Sequence, residues 1–338
     1  MIRIPVLRSA LCCCVVSSLS ISRVTSGSVP RRLVSLEVAA SAERMRHFQE
    51  RIQECNTVPP NVELAEFKVQ GLKAGEVYLE TADMLASYHE VFVFNPSTRT
   101  LGLVPDLEAA TPAERTEAIS KVTASLRKKG VVTGWRDELI SVAPTRDHEP
   151  ILSIERAAYP LMGVAGYGVH VNGFVRDPGA PGGLKLWVAT RAKTKQTWPG
   201  LRDCIVAGQI SDGLSPSRTV VLECEEEAGI PMAIAASARP CGAVSYRGVD
   251  EWGRLKRDVL FVFDLELPPD FKPTPTDGEV EDFELWDLDR VACLLEGTEQ
   301  GKPFKPNVAL VVIDFLVRHG FIEPDDPGYL PLVSSLRP

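Results

Sequence analysis

Three glutamates within one short stretch constrain this chain more than any other feature of its sequence. Glu223, Glu226 and Glu227 lie between Gly208 and Ile230. Because an α-helix turns by about 100° per residue, positions i, i+3 and i+4 share one face, and the three carboxylates are predicted to converge. Like charges so close repel one another, and a cation among them would remove that repulsion. The spacing therefore predicts a helix that binds Mg²⁺ or Mn²⁺ together with a substrate's phosphates.

The residues around the glutamates predict where this helix begins and ends. Gly208 and Gly213 permit an irregular loop before the helix. Ser215 is a typical N-cap residue, and Pro216 suits the first helical turn. Gly229 can end the helix in the left-handed conformation. An apolar stripe is predicted to pack against the rest of the protein and comprises Val220, Val221, Cys224 and Ala228.

The pattern from 208 to 230 resembles the Nudix box, the signature of enzymes that hydrolyse a nucleoside diphosphate linked to another group. The box fits without a gap, although Leu214 stands where the family has an early Glu and Leu222 where it has an Arg. The resemblance implies a metal site made by the three glutamates with the carbonyl of Gly208. It also implies an α/β (α+β) fold, with a Nudix α/β/α sandwich preceded by a smaller α+β domain. The matching box positions are Gly208, Glu223, Glu226, Glu227, Gly229 and Ile230.

Motifs outside the box extend the match over most of the chain. They are Tyr167–His170, Pro199–Gly200, Val206–Gly208, Gly278–Glu281, Phe304–Asn307 and Ile313–Gly320. Together they resemble the thiamine pyrophosphokinase-related Nudix subgroup of fungi and plants, whose members carry an extra N-terminal domain. The resemblance implies a Mg²⁺-dependent diphosphatase that converts thiamine diphosphate, and preferentially its oxidised or damaged oxo and oxy analogues, to the monophosphate and phosphate.

Hydrolysis of a diphosphate needs a general base to activate water. A box glutamate, Glu226 or Glu227, could supply it, and so could a later acid, Glu279 or Glu281. The alternative reading of the two later acids is a charged turn before a strand. All four therefore remain candidates for the catalytic base.

Several residues that precede the box are candidates for binding the substrate. Arg191, Lys193 and Lys195 could hold phosphates, Arg as a fork and Lys as a point charge. Solvated surface is the alternative for Lys193. Trp198 could stack on a heterocycle, although large aromatic residues are more often part of a core or rim. Asp203 is expected to shape the loop that leads to the box.

Two other functions fit the same residues. One is a Nudix hydrolase of a different nucleoside diphosphate derivative. The other is a non-catalytic Nudix-fold module that binds a ligand, because Leu222 could loosen the metal site. A net charge of -8 at pH 7 argues against a nucleic-acid-binding protein, and an oligomer is left open.

The chain is predicted to divide into four parts. Residues 1–36 contain several Arg and Ser but no Asp or Glu, and this composition predicts a cleavable segment for a mitochondrion or plastid, with a secretory signal as the alternative. The apolar centre of this segment is too short to span a membrane. The mature form is therefore expected not to be bound to a membrane. An α+β domain at 37–155, a Nudix domain at 156–325 and a tail at 326–338 follow. Expected elements before the Nudix domain are helices at 39–55 and 112–129 and short strands at 90–95, 131–135 and 138–142.

Overall fold

A computed structural model describes residues 31–59, 61–250 and 253–338, with side chains from 38 onward. The predicted targeting segment lies outside the described residues, except that the backbone of 31–36 begins a helix. In chain order the first elements are α1 (Arg31–Gln53), β1 (Leu64–Val69), β2 (Leu72–Tyr78), α2 (Leu79–Ala86), β3 (Phe92–Asn95), β4 (Thr100–Leu103), α3 (Pro105–Ala109), α4 (Pro112–Lys128), β5 (Leu139–Val142) and β6 (Leu152–Glu155).

Apart from α1, these elements form an α+β unit around a four-stranded sheet in the order β2-β1-β4-β3, with β5 and β6 paired separately. The predicted helix at 112–129 is confirmed, because Thr111 and Glu114 form a capping box at its start. The strands at 90–95 and 138–142 are confirmed by β3 and β5. The predicted strand at 131–135 is wrong, since this segment is a set of bends with no strand partner in the described structure.

A 3₁₀ helix, Arg156–Met162, leads into the second unit. Its elements are β7 (Ala165–Arg176), β8 (Leu184–Arg191), β9 (Arg202–Asp203), β10 (Val206–Gln209), α5 (Pro216–Ala228), α6 (Met232–Ala235), β11 (Arg239–Val249), β12 (Leu255–Glu266), β13 (Val280–Asp287), α7 (Leu288–Glu296), α8 (Pro306–Arg318) and α9 (Tyr329–Ser335). The main sheet runs β11-β12-β7-β8-β13.

Strand β7 changes partner along one edge, and this change positions the site. Its first half pairs with β10, from Gly168 to Val171, whereas its end pairs with β8. Along its other edge it pairs in parallel with β12. Strands β8 and β10 therefore pair with different parts of β7. The segment that connects them, which includes β9, lies at this edge of the sheet.

Helices cover both faces of this sheet, so the α/β/α sandwich is confirmed. One face carries α5, whose Val220 and Cys224 are buried with Val169 of β7. The other face carries α7 and α8. Helix α1 packs there too, because Phe48 and Ile52 lie in the same core as the residues of α8. No helix in the described ranges is long and apolar enough to cross a membrane.

Helices α1 and α9, which are far apart in the sequence, belong to one helical layer. Helix α1 was expected in the N-terminal domain but contacts α7, α8 and α9. The predicted tail contains α9, and its Leu332 and Leu336 are buried in the same core. Apolar residues on both ends complete one helical layer, so they pack together although they are distant in sequence. The proposed domain boundaries themselves stay a prediction.

Candidate active site

Helix α5 begins and ends as the sequence predicted. The hydroxyl of Ser215 accepts a hydrogen bond from the Arg218 N–H at 3.2 Å, and Pro216 occupies the first turn. Gly229 ends the helix with a φ of 59°. On the apolar side Val220, Cys224 and Ala228 are buried, while Val221 is partly exposed. The buried side fixes which way the glutamates point.

Glu227 lies at the inner edge of the glutamate face and is 8% exposed. Its Oε2 accepts a hydrogen bond from the backbone N–H of Ala207 in β10 at 3.0 Å. Burial raises the pKa of Glu227 well above its ordinary value, and the negative charges of Glu223, Asp203 and Glu279 add to the effect. The carboxylate is thus held in place, and the nearby charges that shift its pKa are negative.

Glu223 lies one turn earlier and packs directly on Gly208. A Cβ built on Gly208 would overlap the Glu223 side chain, with its Cγ only 2.6 Å away, so the absence of a side chain there makes room for the carboxylate. Burial and the charge of Glu226 raise the pKa of Glu223 to about 7, although Arg156 acts in the opposite direction. Glu226 itself is exposed on the solvent side of α5.

A later loop completes the acidic cluster because it is tied to the end of α5. The N–H of Thr274 donates to the carbonyl of Ala228 at 3.0 Å, and the hydroxyl of Thr276 donates to the carbonyl of Glu226. These bonds bring Asp277 and Glu279 beside Glu227.

One carboxylate oxygen from each of Glu227, Asp277 and Glu279 lies within 4.8 Å of the others. Such an oxygen-only set matches the preference of hard divalent cations, and the raised pKa of Glu223 and Glu227 is what uncompensated carboxylates show. The residues present therefore fit a divalent metal. Asp277 belongs to this set and was not singled out by the sequence, although it is adjacent to the predicted Gly278–Glu281 motif.

Three of the predicted substrate residues lie around the same cluster. Arg191, Lys195 and Asp203 line a small cleft together with Glu227 and Glu279. Lys195 forms an ion pair with Glu279. The structure thus joins the segment before the box with the loop after it.

Arg191 uses its donors within the protein. Its Nη1 is 2.7 Å from Oδ2 of the buried Asp203, while its Nε and Nη2 donate to the carbonyls of Trp198 and Thr197, each at 3.0 Å. Burial alone would raise the pKa of Asp203, but Lys305, Arg191 and His170 lower it below its ordinary value. In this arrangement Arg191 orients the loop and neutralises Asp203. A contact between Arg191 and a phosphate, as predicted, would require the guanidinium to share its donors between the phosphate and these protein oxygens.

Among the predicted residues, Lys193 and Glu281 lie away from the cluster, and Glu226 is exposed and is not one of its three grouped carboxylates. Lys193 and Glu281 form an ion pair at 3.1 Å, and both are exposed. Pairs of this kind contribute little to stability because water screens them. Of the two later acids proposed as a base, Glu279 is therefore the one near the box carboxylates.

A cavity of about 660 Å³ opens beside Gly208. Trp198 stands at its rim, 45% exposed and with a φ of 53°, a conformation that non-glycine residues rarely adopt. The other walls come from both units of the chain. They include Thr133, Gly134, Arg136 and Arg156 on one side and His170, Gln209, Gly248, Lys256, Lys305 and Asn307 on the other.

Sequence reasoning assigned no role to the polar residues within this cavity. His170 is buried, both of its ring nitrogens lack a hydrogen-bond partner in the described structure, and burial lowers its pKa to about 4. Lys305 and Asn307 precede and begin α8. His170, Lys305 and Asn307 fall within motifs noted for their resemblance, which was the only signal the sequence offered.

Asp258 anchors the far wall of the cavity. It accepts hydrogen bonds from Tyr159 at 2.8 Å and from Tyr246, and the ammonium of Lys256 is 3.3 Å from Oδ2. Since Tyr159 precedes the main sheet and the other three residues lie on β11 and β12, this network joins the two units at the cavity.

Comparison with known proteins identifies the family. Residues 47–166 match a domain of unknown function, DUF4743, and residues 166–308 match the NUDIX domain. Nudix hydrolase 20, chloroplastic, of Arabidopsis thaliana is 42% identical over 296 residues, which is 86% of this chain and 77% of that protein. Nudix hydrolase 24, chloroplastic, of the same species is 39% identical over 303 residues, 89% of this chain and 80% of that protein.

The chain therefore belongs to the Nudix hydrolase family and is a pyrophosphohydrolase. Nudix hydrolases generally use a divalent metal, in agreement with the acidic cluster. Among solved structures, DR0079 from Deinococcus radiodurans is 19% identical, with coverage of 44% of this chain and 81% of that chain and a TM-score of 0.33.

Proposed function

We propose that the protein is a Mg²⁺-dependent diphosphatase of thiamine diphosphate and of its oxidised or damaged analogues, releasing the monophosphate and phosphate. The observation that carries the proposal is the placement of an acidic cluster at the edge of a cavity of about 660 Å³. A volume in this range suits a cofactor-sized molecule. The thiamine assignment rests on the resemblance of the motifs outside the box.

In this proposal the metal is held by Glu223, Glu226 and Glu227, with the carbonyl of Gly208 and with Asp277 beside them. A bound Mg²⁺ would neutralise the diphosphate and polarise the attacking water. Glu279 is favoured over Glu281 as the base, because only Glu279 lies with Glu227. Water adds to the terminal phosphorus, its proton passes to the base, and the bridging P–O bond breaks with its electron pair leaving on the monophosphate.

Residues around the cluster position the substrate rather than react with it. Lys195 lies beside Glu279 and is available to share its charge with a phosphate oxygen. Arg191 and Asp203 fix the loop that carries Trp198 to the rim of the cavity. Its exposed position at this rim supports a role for Trp198 in stacking on the heterocycle of the substrate.

A phosphate-release assay with Mg²⁺ tests the proposal. Thiamine diphosphate and its oxo and oxy analogues are compared with nucleoside diphosphate derivatives, and the thiamine compounds are expected to have the highest kcat/KM. A preference for a nucleotide would replace the thiamine assignment with a different Nudix substrate. Absence of turnover above the Glu226→Gln background on every diphosphate, with binding retained, would leave a non-catalytic module.

The cellular location proposed is a plastid. The acid-free, Arg-containing composition of residues 1–36 supports an organelle, and the names of both Arabidopsis relatives carry the word chloroplastic. Fusion of residues 1–36 to a fluorescent protein in plant cells tests this assignment. Plastid fluorescence is the expected outcome, and mitochondrial or secretory fluorescence would overturn it.

A further inference from the structure

Three polar side chains that line the cavity have unsatisfied atoms. His170 and Asn307 are buried. Within the described ranges, the two ring nitrogens of His170 and the Oδ1 of Asn307 have no hydrogen-bond partner. The ammonium of Lys305 makes no hydrogen bond or ion pair with any described residue. Buried polar groups are normally satisfied, and a group of exceptions around one cavity indicates a missing ligand.

Most other charges around the cavity are balanced within the protein. Lys256 is paired with Asp258 at 3.3 Å, and Arg254 is paired with Asp250 at 2.7 Å. Among the described residues Lys305 has no carboxylate within ion-pair distance, although the charge of Asp203 acts on it from farther away. The ammonium therefore borders the cavity without a direct counter-ion, and water screens such a partly buried charge less than an exposed one.

The position of Lys305 separates it from the part of the substrate that reacts. Its backbone N–H donates to the carbonyl of Arg202 at 2.9 Å, which fixes the start of α8 against β9. Gly208 borders the same cavity and contacts Glu223 of the acidic cluster. A diphosphate bound at that cluster would direct its organic end into the cavity, toward Lys305.

We propose that this cavity binds the organic end of the substrate and that Lys305 selects ends that carry an acceptor oxygen over ends that carry a positive charge. The inference rests on the proposed diphosphatase function. An oxidised thiazole ring is neutral and has a carbonyl oxygen, which accepts a hydrogen bond from the ammonium. The intact thiazolium ring is a cation and is repelled by it. Lys305 thus provides a physical means of distinguishing a damaged cofactor from an intact one.

The N-terminal unit forms the opposite wall of this binding site. Thr133, Gly134 and Arg136 come from the segment after α4, and Cys55 follows α1. Walls from both units surround the organic end more fully than the Nudix unit alone would, and a lower local dielectric strengthens a hydrogen bond from Lys305. This placement gives the DUF4743 region a direct part in substrate selection.

The test compares the wild-type protein with Lys305→Met and with Lys302→Met as a matched control. Lys302 is exposed in the same loop and has no part in the cavity. For the oxo analogue, Lys305→Met is expected to raise KM about tenfold or more with kcat nearly unchanged, because one charge-assisted hydrogen bond is lost. For thiamine diphosphate KM is expected to stay level or fall. The oxo-to-intact selectivity therefore drops about tenfold, whereas Lys302→Met keeps it.

Unchanged selectivity in Lys305→Met, or an equal rise in KM for both compounds, would overturn the inference. If the wild-type protein hydrolyses neither thiamine compound, the proposed function fails, and Lys305 is judged on the best diphosphate of the panel. On that substrate Lys305→Met must raise KM while Lys302→Met does not. Thermal unfolding accompanies each assay, and Lys305→Leu, which also lacks a donor, replaces the Met variant if the latter does not fold.

Discussion

The acidic cluster and the cavity beside it have opposite charge imbalances although they meet at Gly208. In the cluster, negative charges crowd together, so Glu223 and Glu227 hold protons more tightly than usual. In the cavity, burial and the charge of Arg191 lower the pKa of Lys305 to about 8, against the opposing effect of Asp203. The acidic cluster would be satisfied by a bound cation, whereas the cavity would be satisfied by an anion or by a neutral hydrogen-bond acceptor. A metal-bound diphosphate with a polar organic end would satisfy both.

The border between the two regions is Asp203. Its charge raises the pKa of Glu227 on one side and that of Lys305 on the other. Arg191 neutralises part of that charge through the ion pair at 2.7 Å. The loop before the box therefore does more than shape the backbone, since its Asp203 changes the pKa of a carboxyl group in the cluster and of a lysine in the cavity.

Loss of a cluster carboxylate should have the largest effect. Glu227→Gln is expected to reduce kcat/KM by about a hundredfold or more, because it removes a metal ligand from the reacting end. Phosphate release and calorimetric titration with Mg²⁺ measure the change. Glu225→Gln, an exposed change on the same helix, is the control and should behave as wild type. Equal activity in the two variants would remove the cluster from the mechanism.

The substitution Arg191→Met removes the ion pair of Asp203, the residue that lies between the cluster and the cavity. Asp203 would be left buried without its partner, and truncation of one member of a buried pair costs about 3 kcal/mol or more of unfolding free energy. Denaturant unfolding measures this loss. Lys193→Met removes one member of an exposed pair and should change stability by less than about 0.5 kcal/mol. Similar losses in both variants would contradict the role assigned to Arg191.

The substitution Gly208→Ala tests the contact between Gly208 and Glu223, at the point where the cavity meets the cluster. The new methyl group displaces Glu223, whose flexible side chain can move, so the fold is retained while Mg²⁺ affinity falls by about tenfold. Gly102→Ala is the control, since its Cβ would make only ordinary contacts. Wild-type Mg²⁺ affinity in Gly208→Ala would show that the close approach of Glu223 is not required.

The smallest expected effect is the pH dependence of the metal-free protein. The folded-state pKa of Glu223, about 7, exceeds its ordinary value of 4.5. Its contribution to stability is therefore complete at low pH and is lost as pH rises through about 7. Melting temperature in EDTA should fall by a few degrees across this window, and both Glu223→Gln and added Mg²⁺ should flatten the decline. A flat profile in the wild type without metal would contradict the raised pKa.

The features that could be predicted from the sequence are local ones. Helix α5 followed from the cap at Ser215, the end at Gly229 and the apolar stripe, because each of these signals acts within a few residues. Glu279 and Glu281 could not be separated in the same way. The hydrogen bond from Thr274 to Ala228 docks the loop on α5, and this docking brings Glu279 rather than Glu281 beside Glu227. Asp277 was missed for the same reason.

The sequence by itself indicated the family and the sandwich fold through the resemblance of its motifs. It also predicted the ends of α5 and the shared face of its three glutamates, since helical periodicity and turn chemistry are encoded by neighbours along the chain. Only the tertiary structure placed His170 and Lys305 in one cavity, engaged Arg191 with Asp203 and packed α1 on the C-terminal helices. These arrangements join residues that are far apart in sequence. They depend on which faces bury together, and no local pattern records that choice.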